Sequence, residues 1–354
     1  MKKSTKEDLP LSMAWEDLIF INFPCDPHRL QKLLPPGMEV DTFEGKGYIT
    51  VAPLTMKDFS WNGFKAIFNP SFYECNLRTY VKVQEKTGVY FFSLDASSFF
   101  EVFGARALFH LNYRFRRIKF SFQKDSYLFQ MSSPYSSKKR TIIQARISSE
   151  KAVNDPLTEF ISDRESYFVL NKSHIYEGNV KHPPWKFQKV EDIKLETDLF
   201  KDLKSGIDLK TIAPVLAVYA KKTVVSANFI KPAFYPIVFF DKTCGLCSLA
   251  VRTLLFLDRS HFLRFAPLEG KTYYQYFDKP PKKDRILLKQ DTGTNDGADA
   301  LLKLLDYLPW FTGIFAVFKL IPLKTLNRWY DWVAKKRKNC PLKVKKIGDS
   351  RLLP

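Results

Sequence analysis

The chain has 354 residues, 45% apolar and 26% charged, with 14 glycines and 21 prolines, so it can core two domains and is too apolar for a disordered or collagen-like chain. Fifty-six Lys and Arg against 37 Asp and Glu leave a formal charge of +19, a general attraction for anions that selects no particular partner. Five cysteines, at 25, 75, 244, 247 and 340, are an odd set that excludes a fully paired secreted disulfide framework. Lys2, Lys3 and Lys6 are followed by Glu7, Asp8 and Glu16 with no signal-like apolar run, and the expectation is a cytoplasmic protein.

In chain order, residues 27–34 read as a helix halted by Pro35-Pro36-Gly37. Aromatic and β-branched runs then predict strands over 46–53, 77–83, 89–94, 108–115, 126–131 and 141–147, an antiparallel sheet system. A helix is expected over 155–165 and a last strand over 223–230. Glu74, Asn76, Arg78 and Tyr80 alternate, so in a strand they share one face and form either a polar ligand pocket or a satisfied ion pair of Glu74 with Arg78 or Arg106. His110, His174 and His182 lack the short spacing of a metal motif, and no metal is expected.

At Lys231-Pro232 the grammar changes, which divides the chain into residues 1–231 and 232–354. Strand 235–240, turn 241–245, helix 246–257, strands 263–266 and 285–288 and helix 298–308 predict an α/β second domain with a parallel crossover. With the β-rich first domain, the overall class is α+β. The apolar stretch 307–322 contains Lys319 and is too short to span a bilayer. Trp310, Phe311, Phe315 and Phe318 are expected to complete the second core, with a peripheral membrane contact as the alternative. A basic tail, Lys335, Lys336, Arg337, Lys338, Lys343, Lys345 and Lys346, reads as a helix end running into loosely ordered chain.

Cys244-Gly245-Leu246-Cys247 falls where a buried strand ends and a helix begins. Free backbone N–H groups and the helix dipole favour an anion there, which suits a thiolate at Cys244 that attacks a disulfide. Cys247, one turn on, can resolve the mixed disulfide. Asp241 either caps the turn or assists proton transfer. Half of a zinc site would need two further ligands, for which this half offers only Cys340 and His261, and the pair could also be inert core thiols.

FDKTCGLC at 240–247, RFAPLEG at 264–270, DRILL at 284–288 and ADALLKLL at 298–305 resemble the DCC family of thiol-disulfide oxidoreductases, over about residues 235–340. The resemblance implies a thioredoxin-like fold and assigns Asp241, Cys244 and Cys247 to the family's Asp-x-x-Cys-x-x-Cys signature. Lys242 stands where a glycine is usual, and no proline directly precedes the 285–288 strand as the substrate-clamping proline of thioredoxins does. AWEDLIFINFP at 14–24, ECNLRTYV at 74–81, GARALFHLNY at 104–113 and EGNVKHPPW at 177–185 resemble the YqjF-like proteins of the acetoacetate decarboxylase-like superfamily, over about residues 13–230. That resemblance implies an antiparallel β-cone around a cavity, with Glu74, Arg78, Arg106, His110 and Tyr113 as ligand-binding candidates. Tyr113 stands where the decarboxylases carry their Schiff-base lysine, so decarboxylation is not expected, and Lys119 is a poor substitute.

The expected function is thiol-disulfide exchange, needing no cofactor, with a disulfide-containing protein or small thiol as partner. The first domain would recognise a partner or a small anionic or carbonyl ligand. The alternative is a redox-sensing small-molecule-binding protein that works through the first domain's cavity. No nucleic-acid motif accompanies the positive charge.

Overall fold

The first strand carries the run Leu18-Ile19-Phe20-Ile21, apolar on both sides, and the computed structural model buries all four residues. Residues 9–65, 71–152, 155–171, 174–203, 213–259, 261–281, 285–291, 293–337 and 348–354 are described, in two units, Met1–Ala233 and Phe234–Pro354. The first unit begins with β1 (Leu11–Cys25), α1 (Pro27–Gln31), β2 (Glu39–Val40), β3 (Gly47–Trp61), β4 (Phe64–Lys65), β5 (Phe72–Val83) and β6 (Lys86–Ala96). Next come α2 (Phe99–Phe109), β7 (Tyr113–Phe115), β8 (Arg117–Gln123), β9 (Ser126–Ser133), β10 (Ser136–Lys151) and α3 (Pro156–Ser162). It ends with β11 (Ser166–Asn171), β12 (His174–Lys181), β13 (Phe187–Thr197), β14 (Leu216–Ala227) and β15 (Lys231–Pro232).

Strands β12, β11, β6, β5, β3, β1 and β14 pair in that order, and β12 pairs in turn with β14 at Val180 and Ala227, which closes a seven-stranded barrel. All its pairings are antiparallel except β11 on β6. From β14 the sheet continues through β13, β10, β9 and β8. Alternation along β1 then serves two cores: Leu18 and Phe20 join Tyr80 and Leu94, whereas Ile19 and Ile21 join Phe129 and Ile143. A strand covered on both faces has no polar side to show, hence the continuous apolar run.

One expected strand is corrected. Residues 108–115 do not form a single strand, because Phe99–Phe109 is helix α2, capped at His110 in the left-handed region (φ 51°), and only Tyr113–Phe115 is strand. The sequence FFEVFGARALF is apolar around the whole helix and shows neither a helical nor a strand period.

Close strand approach depends on Gly88. A Cβ there would lie 2.5 Å from the Ser166 carbonyl oxygen and 2.8 Å from the Phe168 ring, so β11 could not pair with β6 as it does. Gly88→Ala is expected to destabilise the protein by about 1–3 kcal/mol, read as a lower denaturant midpoint. An unchanged midpoint would mean that β11 can shift.

The second unit contains β16 (Ile237–Phe240), α4 (Gly245–Leu257), β17 (Arg264–Pro267), α5 (Lys271–Tyr274), β18 (Leu287–Gln290), β19 (Gly293–Asp296) and α6 (Gly297–Leu304). A 3-10 segment, Trp310–Leu320, and α7 (Leu323–Arg337) follow. The sheet order is β17-β16-β18-β19, with β16 and β17 parallel and the other pairs antiparallel. Among the described residues no helix is long and apolar enough to cross a membrane.

Two expectations fail here. Phe315 and Phe318 are exposed and do not complete the core, while the side chains of Trp310 and Phe311 lie outside the described residues. Nor is the whole tail loose: Arg351 is buried and donates to the Asp258 carboxylate (3.3 Å) and to the Leu255 carbonyl (3.0 Å), and Leu353 N–H bonds Phe265 O at 2.7 Å. A buried Asp258 needs a cation, and the chain end supplies it. Residues 338–347, with Cys340 and the remaining tail lysines, lie outside the described residues.

Candidate functional site

In the second unit the apolar strand β16 delivers the chain to a turn organised by Asp241. Its Oδ1 accepts from the Thr243 N–H (2.8 Å) and hydroxyl (2.6 Å), and its carbonyl accepts from Cys244 N–H (3.3 Å). These bonds set Cys244 as the N-cap of α4, in extended conformation, with its Sγ accepting the Cys247 N–H at 3.4 Å. The N-cap sulfur thus takes up a backbone donor that the first helical turn leaves free. Cys244 is buried, Cys247 half-buried, and both are thiols. Cys247 and Asp241 line an apolar groove of about 530 Å³ whose walls include Leu254, Leu301, Phe318 and Trp329.

The first unit holds the second candidate, a cavity of about 310 Å³ inside the barrel. Glu74, Asn76 and Arg78 point into it from β5, Trp15 from β1 and Tyr167 from β11, and α2 contributes Gly104 and Ala105 to its wall. Tyr113 donates its hydroxyl to Glu74 Oε2 at 2.6 Å. Salt bridges from Arg114 and Arg116 to buried Asp95, all at 2.8 Å, hold β7, and with it Tyr113, beside β6. Asn76 and Arg78 are each only 7% exposed, yet Asn76 Oδ1, Arg78 Nε and Trp15 Nε1 have no hydrogen-bond partner among the described residues. Arg78 donates to the Ile161 carbonyl (3.2 Å) and lies 4.5 Å from the Phe20 ring centroid, with no ion pair to a described carboxylate.

Three of the five expected ligand residues, Glu74, Arg78 and Tyr113, therefore meet in one cavity, and neither expected ion pair of Glu74 forms. Arg106 and His110 are corrected: both are exposed at the C-terminal end of α2 and neither lines the cavity. Their misplacement follows from the helix, which turns them away from the face carrying Gly104, Ala105 and Phe109. Trp15 is not among the sequence candidates, because a lone indole has no spacing to a polar partner that would single it out. Among the described residues no lysine lines the cavity, and Lys119 is exposed on β8.

Burial pushes the Glu74 carboxyl up from 4.5 to about 7, against hydrogen bonds from Tyr113 and Asn76 that lower it. A raised carboxyl favours the folded state while protonated, so its contribution is complete below pH 4.5 and is lost as pH rises towards 7. It amounts to roughly 3 kcal/mol. Glu74→Gln should flatten that part of the stability-pH curve, measured by urea unfolding; an unchanged slope would assign the dependence to other groups.

Residues 12–223 match the DUF2071 family of uncharacterized conserved proteins. The chain belongs to the DUF2071 family. Uncharacterized protein YqjF of Bacillus subtilis (strain 168) is 31% identical over 219 residues, which is 60% of this chain and 88% of that protein. Residues 238–343 match the DCC1-like thiol-disulfide oxidoreductases, which supports a redox role for the second unit. Similar solved structures include an acetoacetate decarboxylase-like enzyme from Sphingomonas wittichii RW1, 12% identical with a TM-score of 0.47, covering 64% of this chain and 93% of that one. The acetoacetate decarboxylase of Legionella pneumophila is 14% identical with a TM-score of 0.47, covering 63% and 88%.

Proposed function

We propose that the second unit exchanges thiols and disulfides through Cys244 and Cys247. The observation that carries this is the N-cap position of Cys244, whose sulfur accepts the Cys247 N–H at 3.4 Å. The sheet order β17-β16-β18-β19, a parallel β-α-β crossover followed by an antiparallel hairpin and a helix, supports a thioredoxin-like core. In the exchange the Cys244 thiolate attacks one sulfur of a substrate disulfide, forming a mixed disulfide and releasing the other sulfur as thiolate. The Cys247 thiolate then attacks Cys244 Sγ, which releases the second substrate thiolate and leaves a Cys244–Cys247 disulfide. Two electrons pass to the substrate, and no cofactor is called for. Asp241 acts by shaping the turn.

The test is equilibrium titration of the pair in dithiothreitol and glutathione buffers, with reduction of a model protein disulfide alongside. A reversible two-electron couple is expected, and a pair that never oxidises within the range of those buffers overturns the assignment.

A second role is favoured by the barrel cavity. Arg78 Nε and Asn76 Oδ1 are buried without partners among the described residues, and leaving such groups unpaired costs free energy that a bound ligand recovers. A small carboxylate or carbonyl compound that also bears a hydroxyl or amino group fits: its carboxylate or carbonyl oxygen accepts from the guanidinium, its hydroxyl or amino group donates to Asn76 Oδ1, and its short apolar body lies among Met13, Leu54 and Phe72. The first unit would then be a recognition domain, with the cysteine pair coupling it to redox state.

A further inference from the structure

Part of the most apolar stretch of the second unit faces solvent. Within Trp310–Leu320, Ile314 is 75% exposed and Leu320 is 84% exposed, and Val317 lies open as well. Helix α7 extends this surface. Its inner face is settled by buried Leu326 and by Tyr330, whose hydroxyl accepts the Ile286 N–H at 2.9 Å. Trp329, Trp332 (60% exposed) and Val333 point outward. At about 100° per residue, Lys324, Arg328 and Lys335 share the adjoining helix face. Lys336 Nζ sits 4.1 Å from the Trp332 ring centroid.

Charge identifies the occupant. Residues 310–337 carry Lys319, Lys324, Arg328, Lys335, Lys336 and Arg337 against a single acid, Asp331, which Arg285 holds at 2.9 Å. Lys319 is paired with Asp306, but Lys324, Arg328, Lys335 and Lys336 form no ion pair with any described residue. An isologous dimer through this face would bring two equally basic surfaces together, which disfavours a second chain as cover. An apolar face with exposed indoles, flanked by a stripe of unpaired lysine and arginine, matches a bilayer boundary: the rings sit at headgroup level and the cations meet lipid phosphates.

We propose that this face of the second unit docks peripherally on an anionic lipid bilayer. Phe315, Phe318, Trp329 and Val333 belong to both the exposed face and the groove that Cys247 lines, so docking brings the cysteine pair to the lipid boundary. Docking itself does not depend on the thiol chemistry.

The test sediments the full-length protein with phosphatidylcholine vesicles prepared with or without phosphatidylglycerol. Binding to the anionic vesicles alone is expected, weakened by salt and accompanied by a shift of tryptophan emission to shorter wavelength. Ile314→Asp combined with Leu320→Asp should lower the bound fraction about tenfold, and Lys324→Glu with Lys335→Glu at least as much, with far-ultraviolet circular dichroism unchanged. No wild-type binding to either vesicle overturns the proposal, and this readout needs no variant. It is also overturned by a concentration-dependent dimer that Ile314→Asp with Leu320→Asp dissolves, since the face would then belong to a second copy.

Discussion

Cys244→Ser will reduce catalysed disulfide reduction to the uncatalysed background, whereas Cys247→Ser will halt exchange at a mixed disulfide on Cys244 that survives non-reducing electrophoresis. The difference follows from the order of steps. A hydroxyl at position 244 cannot attack a disulfide under these conditions, so no covalent intermediate forms. With serine at 247 the first attack still occurs, but nothing adjacent displaces the substrate sulfur. Buried Cys25 and Cys75 should contribute no background, because burial pushes the Cys25 thiol up to about 11 and the Cys75 thiol well above its ordinary value. Mapping the trapped disulfide by mass spectrometry decides the roles. A trap on Cys247 in the Cys244→Ser protein would reverse them, so that attack begins from the thiol that lines the apolar groove. Unimpaired turnover in both variants would remove the pair from the reaction.

Arg78→Met is expected to weaken the proposed binding of small hydroxy-carboxylates such as glycolate or lactate to the first unit about tenfold to a hundredfold, while leaving the unliganded protein as stable as before or more so. The guanidinium is buried with one carbonyl bond and an aromatic ring for company, and replacing a buried charge that lacks an ionic partner with an apolar side chain of similar reach is commonly neutral or stabilising. A ligand carboxylate would make a charged hydrogen bond there, worth about 1.5–3 kcal/mol, or roughly tenfold to a hundredfold in affinity. Calorimetry and ligand-dependent melting on both proteins separate the possibilities. A large loss of stability with no ligand effect in either protein would make Arg78 a packing element of the barrel and sink the cavity as a binding site.

Much of both candidate sites was legible beforehand, because each depends on local pattern. The alternation Glu74, Asn76, Arg78, Tyr80 is a two-residue period, and a strand places such residues on one face whatever surrounds it. Cys244 and Cys247 straddle a strand-to-helix junction whose apolar run, short turn and helical period are all visible in sequence. Local pattern failed where it was ambiguous. Helix α2 is apolar on every side and shows no clear period, so residues 108–115 read as a strand, while Arg106 and His110 stand as candidates only through the family resemblance, and the helix places both outside the cavity.

By itself the sequence determined which residues alternate, where turns interrupt them, where the thiol pair meets a helix start, and the families these patterns resemble. Tertiary structure alone decided the rest: barrel closure by β12 on β14, the buried Arg78 Nε and Asn76 Oδ1 left without a described partner, the return of Arg351 to buried Asp258, and the exposure of Ile314, Phe315 and Phe318. The physical reason is range. Strand and helix periods are set by neighbours a few residues apart, whereas burial and hydrogen-bond satisfaction depend on which distant segments arrive to cover a side chain, and no local pattern encodes that arrival.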